Sequence, residues 1–193
     1  PTYLDMLDQT TAGARFITDT FGPAAAPRVT SQLDPFGHSA TQASVFSSPQ
    51  AGYTAVFMAR MDYEEAALRA ATKTPDFAWQ ASTSQGTRAL TLGVFGVHDG
   101  YGPPDGLCFD VTIECSALQN PVNDDTDPDA EDVNVDTYVQ LVLQRAAEYA
   151  STYPSDPDGT AHVPFMMGSD FQWAAAHMNF ASIDKLVHYV NLN

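Results

Sequence analysis

Residues 27–46, PRVTSQLDPFGHSATQASVF, and residues 53–60, YTAVFMAR, decide the fold class of this chain. The first segment predicts a short strand that ends at Asp34, followed by a helix that Ser39 is placed to cap. The second segment predicts another strand, with an apolar centre and Arg60 at its end. A strand, a helix and a second strand in this order are typical of a parallel sheet with helical connections.

The same alternation continues over the rest of the chain. Periodicity predicts further helices over 3–21, 63–71, 135–153 and 181–190, and further strands over 77–82, 90–97 and 161–168. Neither an internal repeat nor a linker-like segment is present, so residues 1–193 are expected to belong to one domain without an internal boundary. We therefore predict an α/β fold, with a mainly parallel or barrel-like β-sheet and flanking helices.

The composition limits the classes of partner. The chain has 24 acidic residues against 8 Lys and Arg, and its net charge of -16 would repel nucleic acid and anionic membranes. Its longest apolar runs, such as YTAVFMA at 53–59 and VPFMM at 163–167, are far shorter than the roughly 20 residues that span a bilayer. We expect no nucleic-acid partner and no membrane span. A neutral, polyhydroxylated substrate or an acidic compartment fits this charge better.

Three polar residues follow apolar strands, namely Asp34, Arg60 and Asp170. A fourth, Tyr101, lies in a Gly/Pro loop a few residues after a strand. Ligands of open α/β sheets bind beyond the carboxyl ends of the strands, so we expect these four side chains at one mouth. Of two carboxylates there, one could attack or stabilise the sugar cation of a glycoside, and the other could protonate the leaving oxygen. Aspartates between a strand and a helix are also common N-caps, and spacing alone leaves both interpretations open.

The histidines and the acidic segment do not predict a complete metal site. His38 lies beside a turn, where a hydrogen-bonded structural histidine is more common than a metal ligand. Residues 123–136, NDDTDPDAEDVNVD, imitate a calcium loop, but Ala130 stands where such a loop needs glycine and Asp136 where it needs glutamate. We interpret them as a solvated acidic loop before a helix, with a calcium-binding module as the weaker alternative.

Two interpretations are open for the cysteines. If Cys108 and Cys115 pair, they close a short local disulfide, which would suit a secretory or lysosomal route. Alternatively, they are two half-buried strand cysteines that never meet.

Several motifs occur in a particular order along the chain. They are YLDMLDQTTAGARFITDTFG at 3–22, QLDPFGHSATQASVF at 32–46, YTAVFMARMDYEE at 53–65, DGYGPPDGLCFDV at 99–111 and MGSDFQWAAAHMNFASIDKLVHYVN at 167–191. In sequence and in order, these motifs resemble the lysosomal-type α-mannosidases of glycoside hydrolase family 38. The resemblance covers essentially the whole chain.

The resemblance implies a retaining exo-α-mannosidase that uses zinc and two aspartates, and whose catalytic α/β domain is one part of a larger multidomain enzyme. Asp34 of DPFGHS matches the nucleophile, which in the family also ligates zinc, and Asp170 of MGSDF matches the general acid/base. Arg60 matches an arginine that contacts the nucleophile and substrate, and Tyr101 matches a tyrosine that lines the sugar site. The two carboxyl groups of a retaining enzyme are expected about 5 to 5.5 Å apart.

The chain also departs from the family. The motifs that supply the remaining zinc ligands have no match in residues 1–193, so these ligands are expected outside this segment, which is expected to be inactive alone. Ser31, Trp173 and Asn179 replace a usual tryptophan, tyrosine and tryptophan. The resemblance further implies mannose-containing glycans as substrates and contact with the remainder of the same enzyme. It also implies a lysosomal, vacuolar or secreted location. Whether the protein forms a homo-oligomer is left open. The alternative is a catalytically inactive mannosidase-like domain that binds glycans or serves as a structural component of a larger assembly.

Overall fold

The computed structural model describes residues 2–86, 89–94, 100–110 and 121–192. Contacts divide the chain into two compact units. The first is Pro1–Leu68 with Thr74–Val97, and the second is Arg69–Lys73 with His98–Asn193. The single domain without an internal boundary stays a prediction.

Within the described residues, the first unit contains a four-stranded sheet and the helices that connect its strands, except that the last turn of α3 from Arg69 onward belongs to the second unit. In chain order the elements are α1 (Tyr3–Phe21), β1 (Val29–Gln32), α2 (Ala40–Phe46), β2 (Ala55–Met58), α3 (Tyr63–Thr72), β3 (Phe77–Trp79) and β4 (Leu90–Val94). The strand order is β1-β2-β4-β3, in which β1, β2 and β4 are parallel and the edge strand β3 is antiparallel to β4. This arrangement confirms the predicted α/β class with a mainly parallel sheet.

Helix α1 begins and ends at the predicted residues because both of its termini are satisfied locally. The Thr2 hydroxyl accepts a hydrogen bond from the Asp5 amide at 3.3 Å, and the Asp5 carboxylate accepts one from the Thr2 amide at 2.7 Å. The bond from the Thr2 amide lowers the pKa of Asp5. The chain leaves the helix at Gly22, whose φ of 90° is a conformation that glycine adopts without a steric penalty.

One face of the sheet packs against α2. Along β2, Val56 and Met58 are buried while Phe57 between them is exposed, as expected for side chains that alternate across a strand. The residues of this first core are all nine-tenths or more buried, and they are Ala43, Phe46, Tyr53, Val56, Met58, Leu90 and Leu92. The core therefore anchors β2 and β4, and β1 is held in the sheet by its parallel pairing with β2.

The second unit is built around α4 (Val135–Ala150) and α5 (Ala176–Val190), which pack on each other. Its core residues are Leu107, Phe109, Val122, Val135, Tyr138, Val139 and Leu186. Helix α4 ends three residues before the predicted end at 153. Helix α5 begins five residues before the predicted start at 181, because the stretch AHMNF contains alanine and methionine, which favour helix.

The strand predicted over 161–168 is wrong. All eight residues are described, and none of them lies in a strand. Phe165 and Met167 pack instead on the second core, and the Phe165 ring meets the Tyr149 ring edge-on with centroids 5.2 Å apart. Contact with helices thus buries the apolar side chains that had suggested a strand.

Two other predictions fall partly outside the described residues. These are the last three residues of the strand predicted over 90–97, and Cys115, so the pairing of Cys108 with Cys115 stays a prediction. Cys108 itself is buried. Among the residues that the structure describes, no helix combines the length and the apolar character needed to cross a membrane.

Candidate active site

Asp34 and Arg60 contact each other at the carboxyl ends of neighbouring strands. Gln32 and Met58 are partners in the parallel pair β1–β2, and Asp34 and Arg60 each lie two residues further along. The Arg60 guanidinium donates from Nε to Oδ1 of Asp34 at 2.5 Å, and Nη2 contacts the same oxygen. Register alone therefore explains how residues 26 positions apart form the predicted pair.

The contact with Arg60 leaves half of the Asp34 carboxylate open. Nε and Nη2 of Arg60 both contact Oδ1, and no residue that the structure describes donates a hydrogen bond to Oδ2. The Asp34 side chain is 46% exposed and the Arg60 side chain 45%. One oxygen is thus held in a fixed orientation, while the other is available to an electrophilic carbon or to a cation.

The turn that carries Asp34 is anchored to Arg60 a second time, through His38. Its Nε2 lies 2.9 Å from the Arg60 carbonyl oxygen, so Nε2 must carry the hydrogen and act as the donor. Gly37, which directly precedes His38 in this turn, has a φ of 116°, where a side chain would be strained. The Arg60 guanidinium also lies 4.6 Å from the centre of the Phe36 ring. The structural interpretation of His38 is therefore confirmed.

The N-cap interpretation of Asp34 is wrong. The N-cap of α2 is Ser39, as predicted, and its hydroxyl accepts a hydrogen bond from the Thr41 amide at 3.2 Å. Asp170 does not cap a helix either, because α5 begins at Ala176 and its N-cap is Ala175. Neither carboxylate is thus occupied by the structural role that strand-to-helix aspartates usually play.

Tyr101 and Asp170, two of the predicted site residues, contact each other within the second unit. The Tyr101 hydroxyl donates to Oδ1 of Asp170 at 3.1 Å. Asp170 is exposed at the start of a turn, and the Phe171 side chain beside it is 90% exposed. A carboxyl group in such a position has access to a ligand and is oriented by one phenol.

The turn after Asp170 has a backbone conformation that few side chains favour. Phe171 and Trp173 have φ values of 60° and 71°. The Trp173 amide donates to Oδ2 of Asp110 at 2.5 Å, and its indole Nε1 donates to the Met167 carbonyl oxygen at 2.6 Å. Asp110, which is only 1% exposed, was not among the predicted site residues. A carboxylate inside the apolar run LCFDV is the signal that could have identified it.

The described residues do not complete a zinc site. A catalytic zinc ion usually takes three protein ligands, and no group of three His, Cys, Asp or Glu side chains suited to a metal occurs in the described part of the chain. The acidic loop at 123–136 uses two of its carboxylates in local turns. The Oδ1 atoms of Asp125 and Asp127 accept hydrogen bonds from the amides of Asp127 and Asp129, at 2.9 and 3.0 Å respectively. The Asp34 carboxylate could supply one zinc ligand.

The acidic loop is tied to α5 at its start. Lys185 Nζ contacts Oδ1 of Asp124 at 2.6 Å, and the Tyr189 hydroxyl donates to Oδ2 at 3.1 Å. The hydrogen bond from Lys185, with that from Tyr189, lowers the pKa of Asp124, and the same carboxylate raises the pKa of Tyr189. This network explains how a strongly acidic segment is held against a helix.

The four predicted site residues thus form two pairs, Asp34 with Arg60 in the first unit and Tyr101 with Asp170 in the second. That the two pairs line one pocket stays a prediction.

Comparison with known proteins places these pairs in a family context. A family model described as the glycosyl hydrolases family 38 N-terminal domain matches residues 1–193. A lysosomal alpha-mannosidase of Cavia porcellus is 39% identical over 98% of this chain and 18% of its own length. An alpha-mannosidase of Arabidopsis thaliana is 40% identical over 99% of this chain and 17% of its own. The lysosomal alpha-mannosidase of Homo sapiens is 36% identical, with 98% and 17% covered. The chain therefore spans less than a fifth of the length of each of these relatives.

Proposed function

The chain belongs to glycosyl hydrolase family 38, and on this premise we propose that it carries the two catalytic carboxyl groups of an enzyme that hydrolyses terminal α-mannosides with retention of configuration. The observation that supports this most is the state of Asp34: Arg60 binds one of its oxygens, and the other accepts no hydrogen bond from the described residues. A nucleophilic carboxylate needs this combination of orientation and access.

In the first step, Oδ2 of Asp34 attacks the anomeric carbon of the mannoside. The bond from that carbon to the leaving oxygen breaks, and Asp170 gives its proton to this oxygen. The products are a mannosyl ester of Asp34 and the released alcohol. Arg60 orients Asp34 throughout, because two of its nitrogens contact the oxygen that does not react.

In the second step, Asp170 is a carboxylate and takes a proton from water. The water oxygen bonds to the anomeric carbon, the ester bond to Asp34 breaks, and mannose leaves with its original configuration. Tyr101 donates a hydrogen bond to Oδ1 of Asp170, so the transferred proton is expected on Oδ2. Tyr101 thus orients the acid/base group as Arg60 orients the nucleophile.

The proposal includes zinc, with Asp34 as one of its ligands. A carboxylate oxygen is an ordinary zinc ligand, and the other ligands would come from parts of the enzyme outside the described residues. When bound, zinc would supply a positive centre that holds sugar hydroxyls and positions the ring.

The substrates and location follow from the same premise. We propose mannose-containing glycans as substrates and a lysosomal, vacuolar or secreted location, which the names of the relatives and the net charge of -16 favour. Residues 1–193 would depend on the remainder of the same enzyme for activity, because the described part supplies one candidate zinc ligand.

The full-length protein that contains this chain tests the proposal with 4-nitrophenyl α-mannoside. We expect hydrolysis that yields α-mannose first, as seen by NMR, and that a chelator abolishes and zinc restores. A 5-fluoro-mannosyl fluoride, which forms the ester but releases it slowly, should label Asp34. Asp34→Asn should lose activity. Asp62→Asn should keep it, because Asp62 is an exposed aspartate of the same unit whose carboxylate caps α3.

Absence of hydrolysis by the wild-type enzyme, or equal activity of Asp34→Asn and wild type, would refute the proposal and favour the inactive, glycan-binding alternative. Labelling at a residue other than Asp34 would refute its role as nucleophile.

A further inference from the structure

The turn between Asp170 and α5 needs contacts that hold it in place. Two of its residues, Phe171 and Trp173, have left-handed backbone conformations, which are strained for residues other than glycine. A turn of this kind persists only where surrounding contacts determine it. The exposed Phe171 side chain offers no such packing, so the contacts must come from Trp173 and its neighbours.

Trp173 is held through its main chain by Asp110. The Trp173 amide donates to the Asp110 carboxyl group at 2.5 Å, at the residue whose φ is 71°. Asp110 is 1% exposed, and it follows the core residue Phe109 directly. A buried carboxyl group that accepts a backbone amide in a left-handed turn holds the chain at that point.

The Trp173 side chain closes the other end of the same segment. Its indole Nε1 donates to the Met167 carbonyl oxygen at 2.6 Å, three residues before Asp170. Its ring meets the Phe180 ring of α5 edge-on, with centroids 4.8 Å apart. The segment 167–173 is therefore fastened at both ends, and Asp170 lies in its middle.

We propose that Asp110 is a positioning residue for Asp170. It acts through the backbone of Trp173 and sets the orientation in which Asp170 meets the Tyr101 hydroxyl and the leaving oxygen of the substrate. The inference rests on the proposed acid/base role of Asp170. It assigns to Asp110 a role in proton transfer without contact with the substrate, and it predicts a kinetic defect confined to steps that need the proton.

Substrates with different leaving groups separate this role from a general structural one. An α-mannoside of 2,4-dinitrophenol needs little protonation in the first step, whereas methyl α-mannoside needs full protonation. In the full-length enzyme, Asp110→Ala should lower kcat/KM for the methyl mannoside by about tenfold or more, since acid catalysis contributes about 100- to 10,000-fold. For the dinitrophenyl substrate the loss should stay below about threefold.

A second readout uses the deglycosylation step. Azide attacks the mannosyl ester without needing a general base, so it should raise kcat of Asp110→Ala on the dinitrophenyl substrate more than it raises kcat of the wild type. Asp110→Asn keeps an acceptor oxygen of lower charge and should show the same selectivity to a smaller degree. If Asp110→Ala does not fold, the Asn variant decides.

Ser182→Ala is the matched control. Ser182 is also buried in the second unit, and its hydroxyl also accepts a backbone amide, that of Val122, at 3.3 Å. We expect equal, small changes on both substrates. Equal losses on the two substrates in the Asp110 variants, or no loss on either, would overturn the inference. Failure of the wild type to hydrolyse any mannoside would instead refute the proposed function.

Discussion

Replacement of Arg60 by lysine tests how Asp34, the proposed nucleophile, is oriented. Lysine keeps the positive charge but offers one compact ammonium group in place of a planar fork of donors. Two nitrogens of Arg60 contact Oδ1 of Asp34, so Arg60→Lys should lose at least one charge-assisted hydrogen bond and leave Asp34 freer to rotate. The charge of the pair is unchanged, which isolates geometry as the variable.

The expected magnitude follows from the contacts and their exposure. A hydrogen bond to a charged group contributes about 1.5 to 3 kcal/mol, and about 1.4 kcal/mol corresponds to a tenfold change in rate. Because the two side chains are 45% and 46% exposed, we expect the lower end, a loss of about tenfold in kcat/KM. The same exposure limits the stability change to below about 1 kcal/mol. The melting temperature should therefore fall by less than about 4 °C.

The assay is hydrolysis of 4-nitrophenyl α-mannoside by the full-length enzyme, with thermal unfolding in parallel. Arg28→Lys is the control, since Arg28 is exposed at the opposite end of β1 and far along the strand from Asp34. It should change neither quantity. Activity of Arg60→Lys within twofold of wild type, or the same loss in Arg28→Lys, would refute the role given to the two-nitrogen contact.

Three further predictions concern stability. Asn179→Leu should raise the melting temperature by about 2 to 12 °C, because Nδ2 of Asn179 is buried without a hydrogen-bond partner among the described residues, which costs about 1 to 3 kcal/mol. A lower melting temperature would contradict this. Gly93→Ala should lower the free energy of unfolding by about 1 to 3 kcal/mol, because its new Cβ would lie 2.5 Å from ring atoms of Phe57. In a Phe57→Ala background most of this loss of stability should disappear. An equal loss in both backgrounds would exclude the clash as its cause. The pKa of Asp124 lies below its ordinary value of 3.8 because Lys185 donates to it, so its stabilising effect is present above about pH 4 and is lost as the pH falls through the lowered value. Lys185→Gln should therefore destabilise the protein at pH 6 and matter less at pH 3, as denaturation curves at the two pH values can check.

The elements that the sequence predicted well are those whose signals are local. Helix α1 has a capping pair at its start and glycine at its end, and Ser39 caps α2 from the predicted position. The pairing of Asp34 with Arg60 was predictable because equal distances beyond the ends of two parallel strands bring side chains together.

The predictions that failed depend on tertiary partners. Residues 161–168 have the apolar content of a strand, but whether such a segment pairs or packs depends on what lies beside it, and here α4 and α5 supply the contact. The start of α5 was misplaced because the turn after Asp170 carries no glycine to mark its left-handed residues, Phe171 and Trp173. Asp110 was missed because its partner, an amide 63 positions away, cannot be identified by spacing.

The double anchoring of Arg60 determines where this protein can tolerate change in chain length. Asp34 holds the Arg60 side chain and His38 holds its carbonyl oxygen, so five consecutive residues form a clasp around one arginine. An insertion or deletion inside 34–38 would release one of the two contacts, whereas the same change in the loop between α2 and β2 would leave both intact. Laboratory evolution of substrate preference is thus expected to accumulate insertions and deletions outside residues 34–38 and only substitutions within them.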